Sequence, residues 1–187
     1  MSDWVYVDNA YLDRASMKRN AAIIWDFFVN GQGWSKSAVA AMLGNIQVES
    51  TISPRLWQGR STPDDIYTSD KGYGLTQWTP ASKLIYWAEE NGLDYTDGDT
   101  QMQRILYEQQ NNLQWSENNI LNMTWDEFIV SEESPETLAR VFVWAYEIPA
   151  DPNIPLRQEN ARAWYNTFTR PPLWLLYKIS EGGRIFI

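Results

Sequence analysis

Glu49 is the residue whose position in the sequence best suits acid–base chemistry. Apolar residues before it recur at the i, i+3, i+4, i+7 spacing of one helix face, namely Val39, Met42, Leu43 and Ile46. Glu49 continues this amphipathic face three residues beyond Ile46, so we expect its carboxyl to face inward near the helix C-terminus. Desolvation and the helix dipole both favour a protonated carboxyl there, and a retained proton can serve a general acid. The alternative is a solvated side chain at a fraying helix end.

The rest of the composition restricts the chemistry to a few groups. The chain has no His and no Cys, which excludes imidazole bases, thiol nucleophiles, disulfides and His-ligated zinc. We therefore expect carboxylates to do any acid–base work, with Lys or Tyr as weaker options, and we expect no metal and no cofactor. The candidates for a second carboxylate are Asp64, Asp65, Asp70 and Glu147. The alternatives are turn residues or solvated charges for the aspartates and a structural ion pair for Glu147.

A series of helices is predicted to position these groups. They cover about residues 16–30, 35–49, 99–115 and 156–169, with further helices beginning at Thr79-Pro80, at the capping box from Thr124 to Glu127, and at Ser134-Pro135. Residues 50–71 are predicted to form a long loop, and 72–78 a tight strand or turn. The fold class is therefore α+β, mostly helical, with a small β element after the Glu49 helix.

The chain is predicted to divide into a domain over 1–169 and a tail over 170–187. In the tail, prolines end the helix, and two apolar runs separated by Glu-Gly-Gly predict a hairpin or an assembly segment. No apolar run is long enough to span a bilayer. The first residues have neither the basic nor the apolar region of a signal peptide, so we expect none.

Net charge and aromatic content restrict the kinds of ligand that we expect the protein to bind. The formal net charge is -9, which argues against nucleic acid as a ligand. The 11 Trp residues are explained mostly by a large aromatic core, although some could stack on a flat ligand such as a sugar ring.

The order of motifs resembles the phage tail lysozyme family, the peptidoglycan-cutting domain of tail-knob proteins in small phages of Gram-positive bacteria. The matching residues include Gly33-Trp34, Met42-Leu43-Gly44-Asn45, Glu49-Ser50-Thr51, Leu56-Trp57-Gln58, Gly72, Gly74-Leu75, Gln77-Trp78-Thr79-Pro80, Trp87-Ala88 and Tyr146-Glu147. The likeness covers roughly residues 5–168. More distantly, Glu49-Ser50, Gly74-Leu75-x-Gln77 and Ala145-Tyr146 are similar to goose-type lysozymes and soluble lytic transglycosylases.

This resemblance implies a lysozyme-like fold and an enzyme, a muramidase that hydrolyses the β-1,4 bond between N-acetylmuramic acid and N-acetylglucosamine. Glu49 would be its catalytic acid. Candidates for substrate contacts are Ser50, Trp57, Tyr73, Gln77, Trp78 and Tyr146. For Gln77 the alternative is a buried amide bracing the small sheet, and for Trp78 a place in the core.

The resemblance also implies bacterial peptidoglycan and other phage tail proteins as partners, and a location at the tail tip of the virion. An acidic enzyme gains no long-range attraction to anionic cell walls, which favours a virion component over a freely diffusing lysis enzyme. Two alternatives stay open, a lytic transglycosylase acting on the same bond and a non-catalytic tail or wall-binding protein. Related tail-knob proteins can carry a zinc endopeptidase after this domain, and without histidine we expect that activity to be absent here.

Overall fold

The computed structural model describes residues 3–170, and its helices pack around one buried helix. The α-helices are α1 Arg14–Trp25, α2 Lys36–Ser50, α3 Ser82–Glu90, α4 Gly98–Gln110, α5 Trp125–Val130, α6 Pro135–Phe142 and α7 Ile154–Thr169. Two of them continue as π-helical turns, α1 through Asp26–Gly31 and α6 through Val143–Glu147, and Gln58–Arg60 forms a 3₁₀ turn. The architecture is mostly helical, as predicted.

Side-chain caps set several of the helix starts. Ser35 accepts a hydrogen bond from the backbone N–H of Ala38 at the start of α2, and Ser134 caps α6 in the same way. The capping box predicted at Thr124 is present at the start of α5. Two predicted boundaries are wrong. The third helix begins at Ser82, while the Thr79 hydroxyl donates to the Gln77 carbonyl, and α4 ends at Gln110 rather than near Trp115.

The centre of the molecule is α2, which packs mainly against α6 and α7. All residues from Ser37 to Ile46 are buried. The prediction of an amphipathic helix is therefore wrong, because a helix enclosed by neighbours on all sides needs no polar face. The end of α2, with Glu49, therefore packs against α7.

The predicted small β element is not confirmed. Within residues 3–170 the only β pairing consists of two isolated antiparallel bridges, Trp57 with Tyr73 and Tyr73 with Trp78. Gly74 and Gln77 both have positive φ, +82° and +52° respectively, so the chain turns back before a ladder can extend. The predicted hairpin of the tail, from 171 onward, lies outside the described residues. In the described part of the chain, no helix has the length and apolarity needed to cross a membrane.

Gly44 permits the close approach of α2 and α7. A Cβ at this position would lie 2.6 Å from the Ala161 nitrogen and 2.7 Å from the Arg157 carbonyl oxygen, both of them backbone atoms. Gly44→Ala should therefore push the helices apart and lower the free energy of unfolding by about 1–3 kcal/mol, as overpacking does. Urea unfolding followed by tryptophan fluorescence measures the loss. Gly31→Ala is the matched control, since a Cβ there meets its nearest atom at 3.7 Å. An equal loss in both variants would contradict this account.

Candidate functional site

A groove of about 430 Å³ opens beside the end of α2. Its lining combines the end of α2, the segment after the long loop, the turn at 76–79 and the segment after the second π-helical turn. The residues are Tyr11, Glu49, Leu56, Trp57, Gln58, Gly59, Thr76, Gln77, Thr79, Glu147, Ile148, Pro149 and Ala150. We call this the groove. It brings two carboxyl groups from distant parts of the chain, Glu49 and Glu147, to one wall.

A smaller depression of about 250 Å³ adjoins the groove, and we call it the side pocket. Five residues line both: Thr76, Gln77, Thr79, Glu147 and Ile148. Trp78, Lys83, Gln114 and Tyr146 line the side pocket in addition. The two depressions therefore share one wall, of which Glu147 is part.

A larger hollow, about 560 Å³, lies between α1 and α4. Its acidic residues are Asp26 and Asp99, and these accept hydrogen bonds from Asn30 and from the Trp4 indole. Because the groove holds two carboxyls close enough for their charges to interact, whereas the hollow holds only carboxylates with structural partners, we place the candidate site in the groove.

Glu49 is partly open to the groove, and its position in the last turn of α2 matches the prediction. Its side chain is 19% exposed, and Oε1 accepts a hydrogen bond of 2.5 Å from Nη2 of Arg157. Arg157 is 2% exposed and also donates to Oδ1 of Asn45 at 3.0 Å and to the Pro152 carbonyl at 2.7 Å. Glu49 therefore faces inward as predicted, yet it meets a buried cation instead of an apolar wall.

Glu147 ends the π-helical turn that follows α6. The next residue, Ile148, has left-handed backbone angles (φ +45°), which are strained for a β-branched residue and turn the chain sharply away. Glu147 as a whole keeps some exposed surface, but its Oε1 is buried and has no hydrogen-bond partner among the described residues. Such strain and such an unpartnered oxygen are features that folds tolerate mainly at functional sites.

The pKa of Glu147 is raised well above its ordinary value. Burial is the largest cause, and the charge of Glu49 adds to it, while the Arg157 guanidinium acts in the opposite direction. Glu147 forms no ion pair at contact distance within the described residues, so its alternative interpretation as a structural ion pair is not what the structure shows. Glu49 and Glu147 are thus close enough for their charges to interact.

Glu108 lies beneath the site and joins its walls. It is completely buried on α4, and its carboxylate accepts hydrogen bonds from the Trp78 indole at 3.0 Å, the Tyr146 hydroxyl at 2.5 Å and Nε of Arg104 at 2.8 Å. Burial raises the pKa of Glu108, and Arg104 opposes that shift. Since Trp78 follows Gln77 and Tyr146 precedes Glu147, this carboxylate positions residues from both sides of the groove.

The turn at 72–78 is fixed by amide side chains. A Cβ on Gly74 would lie 2.7 Å from Oε1 of Gln101, which accepts a hydrogen bond from the Leu75 backbone. Gln77 donates through Nε2 to the carbonyls of Leu56 at 2.8 Å and Gly74 at 3.0 Å. Because these two bonds use both amide protons, the oxygen of Gln77 is the atom left to face a ligand.

Of the six predicted substrate contacts, four line the groove or the side pocket and two line neither. Trp57 and Gln77 line the groove, and Trp78 and Tyr146 line the side pocket while packing in the core. Ser50 and Tyr73 were predicted as contacts, yet both are buried and line neither depression. The Ser50 hydroxyl donates to the Leu75 carbonyl, and Tyr73 packs on Trp57 with ring centres 4.6 Å apart. These two residues therefore support the site from behind.

The loop aspartates lie away from the groove. Asp64, Asp65 and Asp70 are exposed, and none of them lines the groove or the side pocket. Asp65 is a turn residue, whose pKa is lowered by hydrogen bonds from the Tyr67 backbone and the Thr68 hydroxyl. Of the four candidates for a second carboxylate, Glu147 alone is placed beside Glu49.

Two residues of the site, Glu108 and Arg157, were missed in the sequence. The helical spacing that pointed to Glu49 points to both of them. Glu108 lies three residues after the buried Ile105, and Arg157 lies four before Ala161 and seven before Trp164, which are also buried. A charged residue on an apolar helix face was the signal in all three cases.

The fold and site together define a mostly helical domain whose groove carries two carboxyl groups. The sequence model described as phage tail lysozyme matches residues 19–168. The chain is also 44% identical over 164 residues to morphogenesis protein 1 of Bacillus phage B103, an alignment that covers 88% of this chain and 43% of that protein. The chain belongs to the phage tail lysozyme family. It spans less than half the length of this relative. Family membership supports a lysozyme-like function associated with a phage tail.

Proposed function

We propose that this protein is a muramidase that cleaves the β-1,4 bond between N-acetylmuramic acid and N-acetylglucosamine in bacterial peptidoglycan. The observation that carries the proposal is the Glu49–Glu147 pair at the wall of a groove in a member of the phage tail lysozyme family. Glycosidic cleavage needs a proton at the leaving oxygen and a carboxylate or substrate group to stabilise the cationic transition state. Two carboxyls that interact in a groove can supply both.

Glu49 is the proton donor in this proposal. Its side chain is 19% exposed beside the groove, whereas Oε1 of Glu147 is buried. Glu147 keeps a proton at a pH where an ordinary carboxyl has lost it, because burial and the charge of Glu49 raise its pKa. When the sugar binds, this proton moves from Glu147 to Glu49, which gives it to the leaving oxygen, and Glu147 is left as the carboxylate that stabilises the cationic transition state. Arg157 bonds to Glu49 and stabilises the carboxylate that remains after Glu49 has given its proton to the sugar.

Other groove residues orient the sugar. The amide oxygen of Gln77 can accept a hydrogen bond from a hydroxyl or an acetamido N–H group. Trp57 lines the groove, where a sugar ring can pack against its apolar surface. Neither role needs a metal or a cofactor.

The biological setting follows from the relatives. A homologue named as a phage morphogenesis protein and the family as a whole favour a virion component, located at the tail tip, that opens the cell wall locally as phage DNA passes into the cell. Its partners would be peptidoglycan and other tail proteins. The net charge of -9 suits an enzyme that the docked particle carries to the wall.

Product analysis tests this proposal. Purified protein is incubated with Gram-positive peptidoglycan, and the released muropeptides are examined by mass spectrometry with and without borohydride reduction. We expect reducing N-acetylmuramic acid ends. Ends of the 1,6-anhydro type would assign a lytic transglycosylase, and reducing N-acetylglucosamine ends would overturn the choice of bond. Binding to walls without any release would favour a non-catalytic tail protein.

A further inference from the structure

We infer that the side pocket binds a carboxylate of the peptide carried by N-acetylmuramic acid, with Lys83 as the binding cation beside the Glu147 wall. This inference rests on the proposed function and adds to it a contact with the peptide portion of the substrate. The geometry behind it is the continuity between groove and side pocket at Glu147.

Lys83 supplies the charge. It is exposed in the first turn of α3, and its Nζ lies 3.2 Å from Oε1 of Gln114, a single neutral partner that leaves further ammonium protons available. Among the residues that line the groove and the side pocket in the described part of the chain, Lys83 is the one cation. Arg157 reaches Glu49 from behind the wall and is already bonded there.

The wall between Lys83 and the groove holds a second polar group suited to an anion. Thr76 is 3% exposed and lines both depressions, and its buried Oγ1 has no hydrogen-bond partner among the described residues. A hydroxyl can donate to a carboxylate oxygen. Glu147 would repel an anion when ionised, but burial raises its pKa and so favours the neutral form.

The substrate offers one matching group at this place. Its two sugars are uncharged at the ring, while N-acetylmuramic acid carries, on its lactyl arm, a short peptide with free carboxylates. A branch that leaves the sugar at the scissile bond would enter the depression adjoining Glu147. Because the formal net charge of the chain is -9, an anion needs a local cation to be attracted, and Lys83 can in this way fix which way the glycan strand lies.

Paired substrates and a matched lysine variant test the inference. Peptidoglycan freed of wall polymers is used intact and after an amidase has removed its peptides, and kcat/KM is measured on both. Lys83→Gln should lower the ratio of intact to peptide-free activity about three- to ten-fold, the net contribution of one ordinary hydrogen bond, because solvent weakens the charge of an exposed lysine. Lys83→Arg should restore most of that ratio. Lys36→Gln, also exposed in the first turn of a helix but outside both depressions, should keep the wild-type ratio.

The failures are distinguishable. If the wild type releases fragments from both substrates and Lys83→Gln shows the same ratio, the side-pocket assignment is overturned while the proposed function stands. If the wild type releases none from either, the proposed function falls and the assignment with it. A third arm leaves the wall polymers in place; an effect of Lys83→Gln confined to that arm would identify a polymer phosphate as the ligand and overturn the peptide.

Discussion

Replacement of Glu49 by glutamine should lower muropeptide release about 10³-fold, because general acid catalysis typically contributes 10²–10⁴-fold. Glutamine keeps the shape and can still accept a hydrogen bond from Arg157, but it carries no proton that it can give to the leaving oxygen. Release of soluble muropeptides from purified walls, measured at several enzyme concentrations, reports the loss.

Two further variants separate chemistry from folding. Glu90→Gln changes an exposed glutamate on α3 away from the groove, so its activity should equal that of the wild type. Glu49→Asp keeps the charge opposite Arg157 but draws the carboxyl back by one methylene, and a displacement of about 1 Å can cost roughly 10²-fold. Tryptophan fluorescence verifies that each variant is folded at the assay temperature. If folded Glu49→Gln stayed within three-fold of wild-type activity, Glu49 would not be the acid.

The sequence was informative about Glu49 because a helix has a fixed period. Placing Glu49 at the end of a buried face required only the spacing from Ile46, and the structure has it in the last turn of α2. The same period did not reveal how deeply α2 is buried. Ala40, Ala41 and Asn45 are small or amide side chains that a surface helix could also carry, and their burial depends on α6 and α7, which come much later in the chain.

The partner of Glu49 could not be found from local sequence. The aspartates at 64, 65 and 70 were attractive because they follow Glu49 closely, yet a long loop can carry such residues anywhere on the surface. Glu147 and Arg157 reach Glu49 across about a hundred residues through the packing of α6 and α7 on α2. Contacts of that kind depend on the whole fold, and periodicity within one helix holds no information about them.

The segment at 72–78 shows a different limit. Its two glycines indicated that the backbone comes close to another group. This is confirmed at Gly74, where the Gln101 side chain packs against the backbone. Whether such a segment becomes a strand or a turn depends on residues with positive φ, and Gln77 is not a type that signals one. The π-helical turn before Glu147 is similar, since nothing in Val143–Glu147 distinguishes it from an ordinary helical turn.

Replacement of Glu147 by glutamine should lower activity while it raises stability at neutral pH. The groove then loses the carboxyl whose pKa is raised, so we expect kcat/KM to fall roughly 10–100-fold at neutral pH, less than the 10²–10⁴-fold of a full general acid because Glu49 remains. Wild-type activity should decline at high pH, where the acid loses its proton. In the variant this decline should occur at lower pH, because the carboxyl with the raised pKa is gone. A variant that keeps both wild-type activity and the wild-type profile would show that Glu147 is not part of the acid.

The same variant should be more stable than the wild type at neutral pH, for a reason that the pKa direction dictates. The folded protein holds a proton on Glu147 that the unfolded chain has released, so wild-type stability falls as pH rises from the unfolded pKa, near 4.5, toward the higher folded value. Below that window both states are protonated, and the two proteins should melt at nearly the same temperature. Above it the wild type bears the cost of a charge buried near Glu49 and Glu108, offset only in part by Arg157, whereas glutamine bears none. Each kcal/mol relieved should raise Tm by about 2–4 °C in a domain of this size, and melting curves at pH 4 and pH 7 measure the difference. If Glu147→Gln instead lost stability equally at both pH values, the carboxyl would be serving the fold rather than the reaction.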